Sequence, residues 1–153
     1  MSGCLDDIRC IECDIGEYRN PIAASIAGVL GAAGWWVFID AATTDQFNPA
    51  FCVCGIVSMV GLLMINAIST GQLHGDAYSG GCLGQTGSRI WFIFGFGCLF
   101  GGLISSGWIL FASYVVPHAK DVWPGVAVFL QNVLLFFSAL TFKFGRTEDP
   151  YRF

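Results

Sequence analysis

The side chains best suited to chemistry in this sequence are its seven cysteines, its two histidines and three carboxamides set inside apolar runs. Cys10-x-x-Cys13 has the spacing of half a zinc site, and Cys4 would make a third ligand. A tetrahedral site needs four ligands, and no histidine stands nearby to complete it. Plain solvent-exposed thiols are the simple reading of Cys4, Cys10 and Cys13, and the functional one is reversible palmitoylation of a juxtamembrane cluster. Residues 80–88, GGCLGQTGS, imitate a phosphate cradle but lack the lysine that neutralises phosphate charge. His74, Asp76 and Cys82 form a mixed ligand set in a glycine-rich segment, for which a solvated loop is the better reading. No nucleophile–base set can be placed, so no catalytic, metal or cofactor site is expected.

Asn66, Gln131 and Asn132 sit where lipid would surround them, so each must find its hydrogen bonds inside protein. One reading is interhelical glue, worth about 0.6 kcal/mol per contact; the other is a hydrated path. No acid or base stands mid-span beside them, which favours glue. Asp40 follows the run AAGWWVFI, whose tryptophans prefer the headgroup level, and is expected to mark where the first helix leaves the membrane.

The elements that hold these groups follow from composition. Of 153 residues, 55% are hydrophobic and 12% charged, against about 25% charged in an ordinary soluble domain. A net charge of −4 leaves no basic stripe for nucleic acid. Four apolar runs, at about 22–40, 50–69, 90–116 and 125–142, are each long enough to cross a bilayer. The expected architecture is an all-α, integral membrane four-helix bundle, with an N-terminal segment 1–21 and a tail 143–153. The acidic first segment does not resemble a signal peptide, so the first helix is expected to serve as insertion signal. Arg9, Arg19, Arg89, Lys143, Arg146 and Arg152 fall on one side of such a bundle and only Lys120 on the other. The positive-inside rule then puts both termini in the cytosol, where disulfides are not expected.

Asn20-Pro21, Asn48-Pro49 and Trp123-Pro124 each put proline where a helix can begin, and Ser88 is a candidate cap for the third helix. That third run is roughly 40 Å long as a helix and must tilt or bend in a ~30 Å core, with Ser105-Ser106-Gly107 as the expected weak point. Gly97, Gly101 and Ser105 recur every four residues, with Cys98, Gly102 and Ser106 one position round. Similar small-residue stripes run through 23–32. Such stripes let helix backbones approach closely, inside the bundle or against a partner. Leu110, Tyr114 and Lys120 match a proposed sterol-contact pattern.

Several longer motifs carry a resemblance. Gly34-Trp35-Trp36 with Ile39-Asp40-Ala41, Met64-Ile65-Asn66-Ala67, Gly81-Cys82-Leu83-Gly84 with Arg89, Trp108-Ile109-Leu110-Phe111, and Pro124-Gly125 through Gln131-Asn132 to residues 143–148, KFGRTE, occur in that order. Together they resemble the transmembrane protein 50 family over about residues 20–148. The resemblance implies a four-span protein of the endoplasmic reticulum, Golgi and late endosomes without established enzyme activity. It also implies a yeast relative that serves vacuolar sorting and pairs with a second small four-span protein. The expectation is therefore a non-enzymatic subunit or scaffold in endomembrane sorting or complex assembly, in contact with membrane lipids and other integral membrane proteins. Gly97, Gly101 and Ser105 are expected to supply close packing or partner contact, and Asn66, Gln131 and Asn132 polar pinning. The rival expectation is a channel or transporter, or an accessory subunit of one.

Overall fold

The computed structural model describes residues 4–45, 47–69 and 84–146, with side chains from Tyr18 onward except Gln85. Helix α1 covers Cys4–Ala42 and α2 covers Cys52–Ala67. Helix α3 covers Gly84–Ile109 and runs on as a π-helical segment, Leu110–Val115; α4 covers Trp123–Gly145. The described structure is all-helical. Four stretches of it, Tyr18–Ala42, Pro49–Ala67, Thr86–Val115 and Trp123–Gly145, are long and apolar enough to cross a membrane.

The helix limits show which local signals operate. Asn48 is extended, and its Oδ1 accepts from Ala50 N at 3.0 Å, so the chain enters a 3₁₀ turn, Pro49–Phe51, and then α2. At α4 the backbone N–H of Trp123 donates to Asp121 Oδ1 at 3.0 Å, with Pro124 in the first turn, where a missing N–H leaves nothing unpaired. Pro21 behaves otherwise: α1 passes straight through it and begins at Cys4. Residues 4–17, with five acidic side chains, are too polar for hydrocarbon, so the apolar span opens at Tyr18 although the helix does not. Ser88 is not a cap either. It lies one turn inside α3, which starts at Gly84, and its Oγ donates to Gly84 O at 3.0 Å.

The expected weak point of α3 is displaced toward its end. Ser106 stays helical, with Oγ donating to Leu103 O, while the backbone widens between Leu110 and Val115. There Val116 N donates to Phe111 O and Ala119 N to Tyr114 O, both reaching back five residues. The widened turn sets the Tyr114 ring over Gly125, where an added Cβ would lie 2.6 Å from ring atom Cδ2. Such single-turn bulges accommodate a local insertion without ending the helix. Past it, His118 closes the segment in the left-handed region, at φ 50°.

Helix α4 is the axis of the bundle. Its apolar window is 44% buried, twice the share of each other span, so the other three helices surround it. Helix α1 packs along one side of α4 and the α2–α3 pair along the other. At one end Arg19 Nε donates to Gly145 O at 3.2 Å, Lys143 Nζ to Ile68 O, and Trp91 Nε1 to Met64 O at 3.2 Å. At the other end Trp123 Nε1 donates to Asp40 Oδ2 at 3.2 Å, and Phe38 packs edge-on against Trp35 and Phe47. The start of the α1 span and the ends of α2 and α4 therefore share one face, as an even number of crossings requires. Asp40 is exposed two residues before α1 ends, at the rim rather than within the bundle.

Candidate functional site

Two features on opposite sides of α2 hold the polar groups of the bundle. The first is a seam among α2, α3 and α4. Ser58 Oγ donates to Asn132 Oδ1 at 2.5 Å, and Asn132 Nδ2 donates to Val128 O at 2.8 Å. Gly102 of α3 lies against this pair: an added Cβ would collide with Ser58 Oγ and come within 3.0 Å of Asn132 Oδ1. Gln131, beside Asn132, is completely buried, with its amide 2.7–3.0 Å from where a Gly55 Cβ would stand. Neither end of that amide has a hydrogen-bond partner. Only the small residues of α2 and α3 let helix backbones come this near, and the same holds where Gly61 faces Gly95 O.

The second feature is a groove of about 460 Å³ between α1 and α2, floored by α4. Ala24, Gly28 and Gly31 form one wall, Met59, Leu62 and Asn66 the other. On the floor Ser138 Oγ donates across to Ala27 O at 2.7 Å and ties α4 to α1. An added Cβ at Gly28 would meet nothing within 4 Å, so this part of the α1 stripe is open. Asn66 Oδ1 is buried in the groove wall without a hydrogen bond among the described residues. The three amides named from sequence are thus divided: Gln131 and Asn132 meet at the seam, and Asn66 stands apart at the far end of α2.

The small-residue stripes of α3 are divided as well. Gly97, Gly101 and Ser105 are exposed, and a Cβ on either glycine would meet nothing within 4 Å. They do not pack the bundle. The inward face, Gly95, Leu99, Gly102 and Ser106, does so instead. Both faces carry small residues at helical spacing, and the signal that separates them is Ser58 and Gly61 on α2, whose partners only the fold reveals. Ser138 was likewise missed, since a serine on an apolar helix carries no mark of its acceptor.

Of the remaining candidates, Cys4, Cys10 and Cys13 fall on the first turns of α1, whose side chains lie outside the described ones, and His74, Asp76 and Cys82 lie outside the described residues. Among the described residues no three His, Cys, Asp or Glu side chains come together. Tyr114 of the sterol pattern is 4% exposed beneath Phe51 and Gly125, turned away from lipid.

Four apolar helices, three of them closed on a polar seam, with large hydrophobic side chains such as Val29 and Ile93 each 69% exposed on the outside, define an integral membrane protein. The chain belongs to the family described as Uncharacterised protein family (UPF0220), whose model matches residues 4–151. It is 29% identical to a "Transmembrane protein 50 homolog" of Dictyostelium discoideum over 83% of this chain and 92% of that protein. It is 31% identical to a UPF0220 protein of Schizosaccharomyces pombe, over 83% of this chain and 82% of the relative. It is also 27% identical to "Vacuolar protein sorting-associated protein 68" of Saccharomyces cerevisiae, over 71% and 70%. No solved structure matches.

Proposed function

We propose that this chain is a non-enzymatic subunit or scaffold of membrane-protein sorting or complex assembly in the endomembrane system, in the late endosome, Golgi or endoplasmic reticulum. The observation that carries the reading is the similarity to a yeast protein named for vacuolar protein sorting. The geometry adds a place for a partner: Gly97, Gly101 and Ser105 form a small-residue strip on the outer face of α3, where a helix of another membrane protein can approach closely. A second small four-span protein is a partner of suitable size.

In this reading both termini face the cytosol, supported by six Lys and Arg residues on their side against Lys120 on the other. Gly101→Leu tests the partner face, because a Cβ added there meets nothing within 4 Å. Association with co-purifying membrane proteins is expected to fall at least tenfold while helicity is unchanged. Unchanged co-purification removes the α3 strip from the proposal, and ion flux from the purified chain in liposomes replaces the scaffold reading with a channel.

A further inference from the structure

We propose that the α1–α2 groove is a binding site for one anionic phospholipid, with an acyl chain lying between the helices and the phosphate held at one end by Arg19 and Arg146. The proposal does not depend on the trafficking role.

The chemistry of the occupant follows from the walls. Apart from Asn66 and Ser138 the lining is aliphatic, aromatic or glycine, and Ser138 already donates to Ala27 O. The occupant must therefore be hydrocarbon over most of its length. The groove offers about 460 Å³, inside the range of small-molecule sites.

Charge selects the headgroup. Phe142 lines the groove, and the Arg146 guanidinium lies over its ring at 6.0 Å from the centroid. Arg19 reaches across from α1 to the neighbouring residue, with Nε on Gly145 O at 3.2 Å. Both arginines are exposed, so two cations stand at the end of an apolar slot at headgroup depth. Basic sites between transmembrane helices hold phosphate headgroups by this arrangement, and arginine adds paired donors to charge. Near the same end the buried Asn66 Oδ1, which has no hydrogen bond among the described residues, is an acceptor for a hydroxyl or amide hydrogen of the bound lipid.

The test uses the full chain in nanodiscs of phosphatidylcholine, alone or mixed equally with phosphatidylserine, released for native mass spectrometry to count retained lipids. At least a fivefold preference for phosphatidylserine is expected. Arg19→Gln with Arg146→Gln should reduce the preference to below twofold while lipid is still retained. Lys120→Gln, which removes one charge at the opposite end, should leave it unchanged. Gly28→Leu, which grows into open space, should lower retention of both lipids at unchanged helicity. Equal retention of the two lipids overturns the proposal, as does a Lys120→Gln effect equal to that of the double variant, which would signal general attraction rather than a site. A co-purifying polypeptide displaced by Gly28→Leu overturns it in favour of protein docking.

Discussion

The seam and the groove flank the same helix and are built from the same kinds of residue, yet one is closed and the other open. At the seam, Gly55 and Gly102 are backed by side chains from the neighbouring helix, and Ser58 and Asn132 spend their polarity on each other. At the groove, among the described residues, a Cβ on Gly28 would meet nothing within 4 Å and Asn66 Oδ1 has no hydrogen-bond partner. Without a hydrophobic force between helices in lipid, association depends on close packing and interhelical hydrogen bonds. Small residues permit approach; a complementary group on the opposite helix secures it. Where the second is missing, as between α1 and α2, the described helices leave an open groove.

Substitutions at the two places should divide in the same way. The largest effect belongs to Gly102→Leu, which drives a side chain into Ser58 and Asn132. It should cost about 3 kcal/mol, the upper part of the usual overpacking range, read from unfolding by SDS in mixed micelles. A near-neutral result there would show the seam to be loose. Asn132→Leu should cost about 1–2 kcal/mol in the same titration by stripping Ser58 of its acceptor, near the maximum for interhelical polar contacts. Gln131→Met should do the opposite. Its amide is wholly buried and unbonded, so an apolar side chain of similar shape is expected to stabilise by about 1 kcal/mol, seen as a later thermal transition.

On the groove side the effects shrink. Ser138→Ala removes the tie from α4 to Ala27 O and should cost about 0.6 kcal/mol, with faster amide exchange in α1 as the confirming sign. Gly28→Leu should change stability by less than about 0.5 kcal/mol, because nothing is displaced. A loss as large as that of Gly102→Leu would erase the distinction between closed seam and open groove.

Particular residues show how far the sequence could be read. The spans were legible because their apolar composition must match the thickness of a bilayer, and Asp40 was legible as a rim residue from the tryptophans beside it. Asn48-Pro49 and Trp123-Pro124 marked helix entries correctly. Asn20-Pro21 did not, since a helix can carry a proline if neighbouring contacts outweigh the lost backbone bond, and no local pattern reveals that. The candidate site was legible by residue type but not by grouping. Asn132 was foreseen as glue, and its partner Ser58 was not; Gly97 and Gly101 were named for packing or partner contact, and inside the bundle their neighbours one or two positions round do the packing.

By itself the sequence determined that this chain carries four segments long and apolar enough to cross a membrane, because that follows from how much apolar surface a segment carries. Only the tertiary structure decided that α4 stands at the centre, that Asn132 meets Ser58 while the Gln131 amide has no hydrogen bond among the described residues, and that α1 and α2 stay apart. Those outcomes depend on how far each helix is rotated about its axis. Rotation is set by pairwise fits between helices distant in sequence, which the pattern of one helix does not contain.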